Sequence, residues 1–227
     1  MRLGCSYLSE PIHLSNGLIN VLSIENKAIF RRLIKALIIG EPEMENFIFS
    51  KDYTPLSFKK NICFIKDSYN LSLSSTFIKK LYDDMASFCN NEMLEQTFFM
   101  KKVISDFVSK ISEKFDFDFI FNEDVILQDI FKMQGIKPDI ESENVLEALY
   151  EYIVLIRKYS SINCFVILGL HQNFDSEELE IFYKELVCRD IIILDIESST
   201  DFVPCQSEKL TIIDKDLCEI VENKDLN

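Results

Sequence analysis

The chain has 227 residues, 48% of them hydrophobic, with no tryptophan and a formal net charge of −14. That length allows one large domain or two small ones with an ample core. Apolar runs such as 36–39 and 191–194 are far too short to span a bilayer.

In chain order, Met1-Arg-Leu-Gly-Cys-Ser-Tyr7 lacks the apolar segment of a signal peptide. Leu14-Ser-Asn-Gly17 is turn chemistry, and residues 19–24 read as a strand. Residues 25–39 have helical periodicity, with Ala28, Ile29, Leu33, Ala36 and Leu37 on one side. Lys27, Arg31 and Lys35 recur every fourth residue on another side with Arg32 alongside, a compact basic stripe or an ordinary solvated face. Residues 47–49 and 62–65 are candidate strands. From Ser74 the texture changes to long amphipathic segments without Gly or Pro, 77–88 and 93–111, followed by helices over 125–134 and 145–159.

Residues 163–197 read strand, loop, helix, strand. The run 163–170 is nearly all apolar, as a parallel strand buried on both faces should be. Asp175 and Glu178 have the spacing of a capping box, ahead of a helix carrying Leu179, Phe182, Leu186 and Val187. A second buried strand covers 191–194 and ends in Asp195. This is the architecture of a nucleotide-binding α/β domain, yet G-x-x-x-x-G-K-[ST] occurs nowhere, and no two of the five glycines could together cradle a phosphate. The organisation expected is a discontinuous α/β domain from 1–69 and 141–227, with a helical domain inserted over 70–140.

Charge is unevenly placed. Residues 1–80 hold 11 Lys and Arg against 7 Asp and Glu, whereas residues 81–227 hold 13 against 31. Either the protein is simply acidic and well solvated, or it carries a local basic face whose partner is polyanionic. Seven cysteines without a C-x-x-C pair read as buried thiols of a reducing cytoplasm. The two histidines, 13 and 171, lie far apart, which argues against a zinc site and a Cys–His dyad. Of the two, His171 is the better functional candidate, because loops after parallel strands carry sites; packing within its loop is the plainer alternative.

Phe115-Asp-Phe-Asp-Phe-Ile-Phe-Asn-Glu-Asp124 is the unusual constellation. Asp116 and Asp118 would leave one side of an extended segment while the phenylalanines bury on the other. With Asn122, Glu123 and Asp124 they form an oxygen-only donor set suited to Ca²⁺ or Mg²⁺, though without EF-hand spacing. An amphipathic strand before an acidic helix start gives the same letters. A divalent-metal nuclease or phosphohydrolase could use the same cluster, but would need carboxylates converging from several strands.

Several segments together resemble the ring-forming, DNA-end-binding spacer-acquisition protein of type II-A CRISPR systems, a member of the Csn family. They are Met1-Arg-Leu3, Glu10-Pro-Ile-His-Leu14, Val21-Leu-Ser-Ile-Glu25, Leu127-Gln-Asp-Ile-Phe-Lys-Met-Gln-Gly-Ile-Lys137, Cys164-Phe-Val-Ile-Leu168, the Asp175/Glu178 helix start, Ile191-Ile-Ile-Leu194 and Ile213-Asp-Lys-Asp216. Their collinearity carries the resemblance.

The resemblance implies a P-loop-NTPase-like α/β domain without a working phosphate loop, no catalytic activity, and a homotetrameric ring whose basic channel accepts double-stranded DNA ends. It also implies Ca²⁺ held near Asp118, Glu123, Asp124 and, less directly, Asp116. Lys132 and Lys137 become the first channel candidates, followed by Lys27, Arg31, Arg32 and Lys35. The expected partners are duplex DNA ends, the CRISPR integrase proteins and the effector nuclease, in the bacterial cytoplasm.

Overall fold

The structure, a computed structural model, describes residues 1–122, 124–140 and 142–222. Its first strands, Arg2–Gly4 (β1) and Ile12–His13 (β2), belong to a small antiparallel sheet. The six-residue run Ile19–Ile24 (β3) is buried throughout and organises the larger sheet.

Helix Lys27–Ile39 (α1) follows after two residues. Asn26 caps it by accepting the N–H groups of Ala28 and Ile29 at 3.1 and 3.2 Å, and Gly40 ends it at φ 79°. Strands Ile48–Lys51 (β4) and Thr54–Pro55 (β5) complete the small sheet in the order β2-β1-β4-β5. Phe47, expected inside a strand, sits just before β4 and is buried to 1%. A single helical turn, Phe58–Asn61 (α2), leads into Ile62–Ile65 (β6).

Helices Ser75–Glu92 (α3), Leu94–Ser112 (α4) and Leu127–Met133 (α5) follow. They belong to a separate compact unit, Ser72–Asp139. Its core is Tyr82, Ala86, Leu127 and Phe131, and the Tyr82 hydroxyl donates to the Ile136 carbonyl at 2.8 Å. Helix α4 buries only Thr97, leaving Phe98, Phe99 and Phe107 each more than 60% exposed. Periodicity marks an apolar side; it does not supply the surface that would cover it.

The other unit comprises Met1–Leu71 and the chain from Ile140 onward. Its second half contributes Val145–Tyr159 (α6), Cys164–Leu168 (β7), Ser176–Val187 (α7), Ile192–Glu197 (β8), Glu208–Ile213 (β9) and Glu219–Glu222 (β10). The large sheet runs β10-β9-β3-β8-β7-β6; all its pairs are parallel except β10 on β9. The chain is therefore α/β with a mainly parallel sheet. One face of that sheet, carrying Leu22, Val166, Leu194 and Ile196, packs on Ile29, Leu33 and Leu37 of α1. Strand alternation puts Phe165, Ile167, Ile193, Asp195 and Glu197 on the opposite face. Among the described residues no helix is long and apolar enough to cross a membrane. Cys164 and Cys205 are buried, whereas Cys188 and Cys218 are exposed.

Candidate functional site

In a phosphate-binding α/β domain, backbone amides at a strand-to-helix loop face the anion. Here the connection from β3 to α1 is only Glu25-Asn26. Asn26 Oδ1 already takes the Ala28 and Ile29 amides. Glu25 places a carboxylate beside them, and its Oε1 accepts from the Thr200 hydroxyl at 3.0 Å. The amides that would hold a phosphate are spent on the cap.

A second polar assembly lies against the sheet face opposite α1. Gly169, at φ 74°, turns the chain after β7, and its N–H donates to the Ile196 carbonyl at 3.0 Å. The turn directs the Leu170 amide at Asp195 Oδ1 (3.4 Å) and the His171 amide at Glu197 Oε1 (2.7 Å). Gln172 Nε2 donates to Glu197 Oε2 at 3.0 Å. The His171 ring stacks on Phe202 with centroids 4.0 Å apart, and its Nε2 lies 2.7 Å from Glu208 Oε1. Glu208 Oε2 accepts the Cys205 N–H at 2.6 Å, and the Cys205 thiol lies 3.4 Å from the Ser176 carbonyl.

These groups are closed to water: Asp195, Glu197 and Glu208 are 0%, 1% and 7% exposed as residues, and the His171 side chain is 2% exposed. Burial, and then the neighbouring Glu197 carboxylate, push Asp195 well above the usual carboxylate range. Burial also raises Glu197, opposed by the His171 amide and the Gln172 side chain. Burial, and then the Asp195 and Glu208 carboxylates, push the Tyr183 phenol up, so it stays neutral. Asp195 and Glu197 thus resist ionising together, and among the described residues of this assembly no nucleophile is open to a substrate. One donor atom each from His171, Cys205 and Glu208 lies within 4.8 Å of the others.

Sequence patterning flagged His171 but not its partner. The second strand was expected to end in Asp195, yet β8 runs on to Glu197. Leu194-Asp-Ile-Glu197 keeps strand alternation, which is the signal available in the sequence. Nothing in the letters around Cys205 or Glu208 points to a residue thirty-odd positions earlier.

The expected site residues are placed as follows. Lys27, Arg31, Arg32 and Lys35 are all exposed on α1. Arg32 reaches Glu45 at 3.4 Å, and Arg31 Nε donates to the Lys27 carbonyl at 3.1 Å. In the helical unit Lys132 lies in the last turn of α5, where the helix dipole favours a cation, and Lys137 lies beyond it; both are exposed. Asp116, Asp118 and Asp124 are exposed, and Lys101 Nζ meets Asp124 Oδ1 at 3.0 Å. Glu123 lies outside the described residues. Asp116 and Asp118 do not stand on a strand: the segment bends. The phenylalanines there are not buried either. Phe115, Phe117 and Phe119 are 43–62% exposed and contact one another with centroids 4.8–5.6 Å apart. Among the described residues no strand pairs with this segment, and its rings gather among themselves.

Comparison with known proteins points to one family. Residues 41–217 match the family model described as CRISPR-associated protein (Cas_Csn2). The chain is also similar to the CRISPR-associated protein Csn2 of Enterococcus faecalis, 21% identical over 205 residues, covering 87% of this chain and 90% of that protein.

Proposed function

The chain belongs to the Csn2 family of CRISPR-associated proteins, and on that premise we propose that it is a non-catalytic, calcium-dependent ring protein that binds ends of double-stranded DNA. Four copies form the ring. It acts without reading sequence and supports spacer acquisition in antiviral defence, alongside the integrase proteins and the effector nuclease. Its α/β unit is a P-loop-NTPase-like scaffold in which the phosphate loop is replaced by a helix cap.

The observation that carries DNA binding is the row of exposed cations on α1, Lys27, Arg31, Arg32 and Lys35, in a chain of net charge −14. Local positive charge on an acidic protein suits phosphate contacts, which are sequence-independent and salt-sensitive. A ring repeats each cation in every subunit, so a few per chain line a strongly positive channel. In the helical unit the exposed Lys132 and Lys137 are the other candidates for phosphate contact. Assembly draws support from the exposed apolar side of α4, where Phe98, Phe99 and Phe107 stand in water in the single chain. Calcium draws support from the oxygen-only donors Asp116, Asp118, Glu123 and Asp124; a hard cation would also relieve their repulsion of DNA phosphates.

The test is mass in solution with and without Ca²⁺, for the native chain and for Asp118→Ala, Glu123→Ala and Asp124→Ala. A calcium-dependent tetramer that shifts to smaller species in the variants supports the reading. Three variants that stay tetrameric with unchanged calcium content refute the ligand assignment.

A further inference from the structure

We propose that His171, Cys205 and Glu208 form a binding site for one zinc-class divalent transition ion, independent of the DNA reading and chemically unlike the acidic segment. The donor types decide the class. Imidazole nitrogen, thiolate sulfur and one carboxylate oxygen are the set that Zn²⁺ and Co²⁺ take in tetrahedral sites. Ca²⁺ would need six to eight oxygens, and this cluster does not offer them.

The donors are held before any ion arrives. Cys205 and Glu208 stand three residues apart at the start of β9, tied by the Cys205 N–H to Glu208 Oε2 bond of 2.6 Å. His171 is fixed twice, by its amide on Glu197 Oε1 and by its ring on Phe202. Outer hydrogen bonds of this kind orient ligands and set affinity. The three donor atoms already lie within 4.8 Å of one another. Metal–ligand bonds of about 2.0–2.3 Å in a tetrahedron put donors roughly 3.3–3.7 Å apart. His171 Nε2 and Glu208 Oε1, now at 2.7 Å, need to part by about 0.6–1.0 Å to admit the ion. Cys205 must turn its sulfur from the Ser176 carbonyl, 3.4 Å away, and a water carried in with the ion would complete the tetrahedron.

The charge balance favours the exchange. The set lies closed to water, beside Asp195 and Glu197. Binding M²⁺ releases the thiol proton to solvent and requires the imidazole hydrogen to move from Nε2, which faces Glu208, to Nδ1. The thiolate and carboxylate then neutralise the ion, and the buried set carries no net charge.

The experiment is a Co²⁺ titration of the intact chain, stripped of metal and checked for folding by circular dichroism. Expected are one ion per chain, visible tetrahedral absorption, a near-ultraviolet thiolate-to-cobalt band, and displacement of all three signals by Zn²⁺. Cys205→Ser should abolish the near-ultraviolet band, and His171→Asn should weaken binding by about tenfold or more. Cys188→Ser combined with Cys218→Ser removes the exposed thiols and should change nothing. A folded chain that takes up no Co²⁺, or a sulfur band that survives Cys205→Ser, overturns the proposal. Should Cys205→Ser fail to fold, unchanged affinity in His171→Asn overturns it. Asp118→Ala should leave the cobalt signal intact, so failure here is separable from failure of the calcium reading.

Discussion

His171 Nε2 and Glu208 Oε1 lie 2.7 Å apart, with both side chains closed to water. The pair ties the loop after β7 to the first residue of β9, across a gap of 37 residues. Removing the imidazole takes the 2.7 Å partner from a buried Glu208 carboxylate, which keeps the Cys205 amide. In metal-free buffer, His171→Ala should cost about 3 kcal/mol. For a chain of this size that lowers Tm by roughly 6–12 °C. Glu208→Gln keeps an acceptor at the same place and should cost less. Equal, small losses in thermal unfolding would show that the pair does not hold this part of the fold.

Asp195 gives a pH dependence with a definite sign. Its folded-state pKa is raised, by burial and then by Glu197, above the unfolded value of about 3.9. The folded chain therefore binds more protons, and stability from this group is full in acid and lost as pH rises through the raised value. Asp195→Asn cannot ionise. Its Tm relative to the native chain should be more favourable at pH 8 than at pH 5, and a constant difference across that range would contradict the assignment.

Much of the fold is legible wherever the signal is local. The buried run of β3, the periodicity of α1 and the Asp175/Glu178 cap are all written in neighbouring residues. The structure shows the capping box complete, with Asp175 accepting from the Glu177 and Glu178 amides and Glu178 accepting from the Asp175 amide. What escapes the sequence is tertiary. Glu197 continues β8 because His171 and Gln172 satisfy it, and both lie on another strand's loop. Phe98 and Phe107 look like core on a helical wheel and stand exposed, because no described element of their own unit covers them. Phe117 looks like an inward strand residue, but the segment has no sheet to join.

The capping box itself is testable. Asp175→Ala removes the acceptor of two amides at the start of α7 and should cost about 1 kcal/mol, a drop of roughly 2–4 °C in Tm. Glu178→Gln retains an oxygen for the Asp175 amide and should lose less. A larger loss in Glu178→Gln than in Asp175→Ala would mean that the helix start is held in another way.

The central claim is that linear duplex DNA is held through phosphates inside a ring. Its most direct measurement compares binding of linear and covalently closed circular duplex of the same sequence, over a salt series. The native chain should bind linear duplex, bind closed circles poorly, and lose affinity as salt rises, by about 0.9 in log slope per phosphate contact. Lys132→Glu with Lys137→Glu, and separately Lys27→Glu with Arg31→Glu, should flatten that slope and weaken linear binding while tetramer mass is unchanged. Equal affinity for linear and circular duplex, or a slope that neither double variant alters, would contradict the account.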